Sequence, residues 1–215
     1  MKKYIAVAGN IGVGKSTLVR LLCEQLGWQP FYEPVAQNPY LADFYNDMRT
    51  WAFHSQVFFL AHRLHIHRQI MLYPGSVIQD RSVYEDAQVF VVNLYQQGYL
   101  IQRDYDTYCA LYHSLVDFLP SPDLLIYLRA STSTLHKRIA RRNRPYEQEI
   151  DPLYLESLNQ LYEQWIAGFS LCPVLTVPAD DLDYVSDPRV VDLITSKVQQ
   201  KLSGKDEVIF ETGGF

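Results

Sequence analysis

GNIGVGKS, residues 9–16, follows the short apolar run YIAVA (4–8) and precedes Leu18, Leu21, Leu22 and Leu26, which recur at helical spacing. The octet fits G-x-x-x-x-G-K-[S/T], and a strand before it with a helix after it is the setting the motif requires. In that setting the glycines let backbone N–H groups turn inward around a phosphate chain, and the helix N-terminus adds its positive end. Lys15 supplies a point charge to the β- and γ-phosphates, and Ser16 offers a hydroxyl to Mg²⁺. The stretch predicts a nucleoside-triphosphate loop over residues 9–17: Gly9, Asn10, Ile11, Gly12, Val13, Gly14, Lys15, Ser16 and Thr17. A GTPase switch would also need an NKxD-type guanine reader and a DxxG element, and neither string occurs. The bound nucleotide therefore needs another acceptor.

Working outward, strands and helices alternate. VIQ (77–79), LLIYL (124–128) and VLTV (174–177) read as further buried strands, and a short strand-like run precedes Glu33. The chain from about Leu41 to Leu72 reads as helical with a break near Arg49. Further helices are predicted over 84–97, 104–118, 131–142, 151–168 and 187–202. This alternation argues for an α/β fold, a P-loop NTPase-type parallel sheet of about five strands wrapped by helices. No repeat or linker divides the chain, so residues 1–203 are expected to form one domain. The glycine-rich end, 204–215, is expected to be a tail, either loosely ordered or docked, and the sequence does not choose between them.

Composition sets the outer bounds. With 215 residues, 48% hydrophobic and 20% charged, the chain can bury a substantial core. A formal charge of −5 gives it no electrostatic reason to seek nucleic acid or anionic lipid. No apolar run approaches the roughly 18 residues that span a bilayer, and MKKYIAVAG lacks a signal-peptide core. Cys23, Cys109 and Cys172 are odd in number and far apart, which suits free thiols in a reducing cytoplasm.

Five motifs in order carry a resemblance. EPV at Glu33, NPYL with the following FY, the helix WAFHSQVFFLAHR (51–63), DRSVYED (80–86) and LHKRIARRNR (135–144) before a glutamate resemble the deoxynucleoside kinases. The similarity is greatest to bacterial deoxyadenosine/deoxycytidine and deoxyguanosine kinases. The resemblance implies ATP as donor and a deoxynucleoside 5′-hydroxyl as acceptor, deoxyadenosine or deoxycytidine first and deoxyguanosine as a further candidate. It implies that Glu33 is the general base, a role worth about 10²–10⁴-fold. Arg81 would hold Glu33 ionised and steady the phosphoryl oxygens, and Asp80 would help Ser16 to position Mg²⁺. Tyr45 and Glu147 would hold the sugar 3′-hydroxyl. Gln56, with a donor beside an acceptor, would read the amine and ring nitrogen that adenine and cytosine share. Arg63 and Asp86 would pair beside it, and Phe90 would pack on the base face. Glu85 receives no role and reads as solvated. The family also implies a homodimer.

The same resemblance makes the basic segment an arginine-rich lid over about 138–149. Arg138 and Arg142 stand i and i+4 on one face, with Arg144 just past the helix end, and their planar forks suit phosphates. Ser55 stands where animal members carry an aromatic, Asp80 where they carry glutamate, and Asn143 where glycine is common. His54, His62, His65 and His67 crowd one helix but lack the partners and order of a zinc site. Two other readings compete. A nucleoside monophosphate kinase would need arginines for an acceptor phosphate where Glu33, Tyr45 and Gln56 stand. A non-catalytic nucleotide-binding regulator would have no use for Lys15, Glu33, Arg81 and the lid arginines together.

Overall fold

The computed structural model describes residues 2–33, 35–147, 150–204 and 210. Among them a five-stranded, wholly parallel sheet runs in the order β2-β3-β1-β4-β5. The strands are β1 (Tyr4–Gly9), β2 (Gln29–Phe31), β3 (Val77–Asp80), β4 (Leu124–Arg129) and β5 (Val174–Pro178). Four of them match the apolar runs of the sequence, each extended by one residue at its carboxyl end. Those extra residues include Gly9 and Asp80, so the sheet's carboxyl edge hands over directly to the motifs.

Every residue of β1 is buried, as a strand covered on both faces requires. Its alternation divides the core. Ile5 and Val7 join Ile78, Leu124 and Ile126 on one face, with Leu18, Leu22 and Ile194 packed over them. Tyr4, Ala6 and Ala8 join Val77 and Leu125 on the other, under Ile66, Ile70, Trp165 and Phe169. Each fully buried Leu or Ile contributes roughly 1.5–3 kcal/mol, so both faces are strongly specified.

The helices follow the expected caps. Helix α1 (Lys15–Leu26) ends at Gly27, which takes the left-handed conformation. The break in the long helical stretch falls at Asp47, between α2 (Leu41–Asn46) and α3 (Met48–Leu72). Asp47 stops one helix and caps the next, accepting from Thr50 N. The single helix expected over 84–97 is one continuous run with a changed pitch: α4 (Val83–Glu85), a π-helical turn (Asp86–Val91) and α5 (Val92–Gln96). Helix α6 spans Gln102–Val116, and α7 (Thr132–Arg142), α8 (Pro152–Gly168) and α9 (Pro188–Leu202) are capped by Ser131, Asp151 and Asp187. No helix among the described residues is long and apolar enough to cross a membrane. The expected tail lies outside the described residues except for Gly204 and Phe210, and Phe210 packs on the larger core.

Candidate active site

The phosphate loop is fixed from several sides before any ligand is considered. Asn10 donates to Leu155 O at 2.9 Å and Asn159 Oδ1 at 2.7 Å, and accepts from Ile11 N, tying the loop to α8. Val13 O accepts from Tyr184 Oη and from Arg138. Gly14 has φ 105, and a Cβ there would lie 2.2 Å from Tyr184 Oη, so only glycine fits. Lys15 opens α1 with its ammonium donating to Gly9 O at 2.8 Å and Asn10 O at 3.0 Å. Burial, helped by the nearby Arg81 guanidinium, lowers its pKa to about 8.

Ser16 Oγ donates to Asp80 Oδ2 at 2.5 Å, so the shorter aspartate still reaches the loop. Asp80 Oδ1 is buried without a hydrogen-bond partner among the described residues. A serine hydroxyl beside a carboxylate with one oxygen left over is a hard-oxygen set that fits Mg²⁺, completed by phosphate and water.

Beyond the carboxyl edge, Glu33 and Arg81 meet. Phe31 pairs with Gln79, so Glu33 emerges beside the end of β3. Glu33 Oε1 accepts from Arg63 Nη2 at 2.7 Å and lies 2.9 Å from Arg81 Nε. Burial alone would push this carboxyl up, but Arg81, Arg63 and Lys15 outweigh it and hold the pKa at about 2. Arg81 itself has φ 66, an uncommon left-handed conformation for a residue other than glycine. Its guanidinium lies 4.3 Å from the centre of the Phe90 ring.

Arg63 is fully buried at the far end of the same network. It donates to Asp86 Oδ2 at 2.7 Å and to Asp80 O at 3.3 Å, besides Glu33. The expected Arg63–Asp86 ion pair forms, and Arg63 also bridges it to Glu33. The π-helical turn begins at Asp86 and carries Phe90, so one wider turn presents both residues to the site. Gln56 is buried two turns before Arg63 along α3, and the neighbouring Ser55 accepts from Asn38 Nδ2 at 3.0 Å.

These groups enclose a cavity of about 420 Å³. Ile11, Gly12, Gly14, Lys15, Ser16 and Thr17 form its phosphate end. Glu33 and Arg81 follow, then Tyr45, Gln56, Asp86 and Phe90. Arg142, Arg144 and Glu147 close one side. The sequence reading missed Phe59 and Tyr154, which also line it. Phe59 follows Gln56 by one short helical step and was open to inference; Tyr154 lies far along the chain and was not.

Several residues depart from expectation. Glu85 is not solvated: it is fully buried, accepting from Ser82 N, Gly9 N and Tyr162 Oη. Burial raises its pKa against the pull of Arg81 and Lys15. Arg138 does not stand with Arg142: it donates to Val13 O at 2.7 Å and Ala179 O at 2.8 Å, strapping the phosphate loop to the end of β5. Two backbone carbonyls within reach outcompete an open position for its fork. Arg142 and Arg144 both grip the Glu147 carboxylate, Arg142 through Nε and Nη2. Asn143 takes φ 55, which explains why glycine suits that position and why asparagine is tolerated. The last part of the expected lid, 148–149, lies outside the described residues.

Comparison with known proteins gives the family. The chain is 39% identical to the deoxyadenosine/deoxycytidine kinase of Bacillus subtilis over 90% of each chain. It is 36% identical to a deoxyguanosine kinase of Lactobacillus acidophilus, covering 92% of this chain and 90% of the relative. Its fold is similar to the structure of deoxyadenosine kinase from M. mycoides with products dCMP and dCDP bound. That match has a TM-score of 0.83 and 34% identity, over 92% of this chain and 99% of the other. The family model of the deoxynucleoside kinases matches residues 5–203, and the chain belongs to that family.

Proposed function

We propose that the protein transfers the γ-phosphoryl group of ATP to the 5′-hydroxyl of deoxyadenosine or deoxycytidine, with deoxyguanosine as a third acceptor. The observation that carries this reading is Glu33, an ionised carboxylate held between Arg63 and Arg81 in the cavity that also contains Lys15. Glu33 accepts the hydroxyl proton. While Arg81 faces it, its basicity is suppressed; as charge builds on the transferred phosphoryl, Arg81 is shared with those oxygens and the carboxylate becomes the stronger base. Lys15 steadies the β- and γ-phosphates, with Arg142 and Arg144 arriving from the lid. Ser16 and Asp80 would hold Mg²⁺, which neutralises phosphate charge when bound.

At the other end Gln56 reads the base edge and Phe90 packs on its face, with Arg63–Asp86 beside them. Tyr45 and Glu147 take the sugar 3′-hydroxyl. Carboxylates along the acceptor end, Asp86 buried and Glu33 partly so, favour a neutral nucleoside over a monophosphate, whose charge they would repel. A homodimer is proposed through the 84–118 stretch, which exposes Ile101, Leu111 and Phe118. A cytoplasmic location suits three free thiols and an ATP donor. The test is a panel of four deoxynucleosides, dAMP and dTMP, each incubated with ATP and Mg²⁺ and resolved by chromatography. Monophosphates of deoxyadenosine and deoxycytidine are expected; diphosphates from dAMP or dTMP, with nucleosides untouched, would overturn the reading.

A further inference from the structure

Behind the cavity wall stand two fully buried groups that the proposed transfer does not use, Glu85 and Tyr162. Glu85 completes a capping box with Ser82, its Oε1 accepting from Ser82 N at 2.8 Å. Such a box needs one carboxylate oxygen and works equally well at a solvated helix end. The second oxygen turns away from the helix. Glu85 Oε2 accepts from Tyr162 Oη at 2.6 Å and from Gly9 N at 3.3 Å, and lies 3.8 Å from Arg81 Nη1. Tyr162 Oη in turn lies 2.9 Å from Gly9 O and accepts from Arg81 Nη1 at 3.0 Å. One phenol thus joins the first residue of the phosphate loop, the Glu85 carboxylate and the Arg81 guanidinium.

Arg81 is the residue that needs such a clamp. Its φ of 66 persists in a residue other than glycine only where the surroundings over-determine it. Its backbone N bonds Val7 O at 2.9 Å, its guanidinium covers Phe90, and its Nε faces Glu33. The Tyr162 contact fixes the remaining direction in which the guanidinium could rotate.

We propose that Glu85 and Tyr162 are positioning residues for phosphoryl transfer, locking the Arg81 guanidinium and the Gly9 backbone into one frame. The proposal rests on the reading of Arg81 as the group that steadies the reacting oxygens. Neither side chain touches substrate. They act by fixing the direction from which Arg81 approaches, and a misplacement of about 1 Å in such a contact can cost on the order of 10²-fold in rate.

Tyr162→Phe tests this with little disturbance, because the ring keeps its edge contact with Phe90 and its stack on Tyr127. The kcat and KM for deoxyadenosine are measured for wild type, Tyr162→Phe, Arg81→Ala and the double variant. Tyr162→Phe is expected to lower kcat about tenfold while KM moves less than about threefold. In the Arg81→Ala background the same change should lower kcat less than about twofold, since its target is gone. A kcat for Tyr162→Phe within about twofold of wild type would overturn the proposal. So would an equal loss in both backgrounds, which is what a merely structural role produces. If Arg81→Ala alone left kcat unchanged, the reading of Arg81 would fall first, and the proposal with it. Glu85→Gln, which keeps an oxygen for Ser82 N, should reproduce the Tyr162→Phe pattern and serves if that variant does not fold.

Discussion

Replacing Arg63 by leucine removes the cation shared by Glu33, the proposed general base, and Asp86, proposed to lie beside the base. Arg63 is fully buried and donates at 2.7 Å to both Asp86 and Glu33. Glu33 keeps Arg81 at 2.9 Å, but Asp86 has no other cation within ion-pair distance among the described residues. Stranding a buried charge in this way costs about 3–5 kcal/mol. Unfolding entropy of about 2.1 cal/mol/K per residue gives roughly 0.45 kcal/mol/K for a chain of 215 residues, so Tm should fall by about 7–11 °C. Protonation offers Asp86 an escape, since burial already raises its pKa. The variant's native state then holds a proton that the unfolded state releases, so the deficit shrinks as pH falls toward 5 and grows as it rises. The assay is thermal unfolding of nucleotide-free protein at pH 7 and pH 5. Arg63→Leu/Asp86→Leu removes both charges and should regain at least about half of the loss. A Tm drop below about 2 °C, or a double variant no more stable than the single, would refute the reasoning.

Two further outcomes follow from other parts of the site and core. Burial, with Arg63 nearby, lowers the pKa of His67 to about 4, so its contribution to stability is complete above about pH 6.5 and is lost as pH falls toward 4. The total is about 3 kcal/mol, read as a difference in urea midpoints, and His67→Gln should flatten that part of the profile; identical profiles would remove His67 as the cause. Ser16→Ala should raise the Mg²⁺ concentration for half-maximal activity about tenfold while leaving the Kd for deoxyadenosine unchanged; an unaltered Mg²⁺ titration would remove Ser16 from the metal site.

What could be read from the chain was what is local. The phosphate loop, the apolar strands and the capped helices each carry their signal within a dozen residues, and each was found within a residue or two of its place. The π-helical turn escaped because Ala87, Val89, Phe90 and Val91 are all buried, so hydrophobic periodicity marks no single face there. Glu85 was misread because two of its partners, Gly9 and Tyr162, lie 76 and 77 residues away. Its pairing with Ser82 as a capping box was visible in Ser82-x-x-Glu85, yet that motif says nothing of burial. Arg138 was drawn toward carbonyls of Val13 and Ala179, contacts that exist only after the sheet brings the loop and β5 together.

In the proposed reaction Glu33 takes the 5′-hydroxyl proton while Arg81 steadies the phosphoryl. The most direct test is ATP-dependent phosphorylation of deoxyadenosine by Glu33→Gln, measured beside the Kd for deoxyadenosine by titration calorimetry. A loss in kcat of at least about tenfold with a Kd within about threefold of wild type is the expected result. An unchanged kcat, with binding intact, would contradict the account.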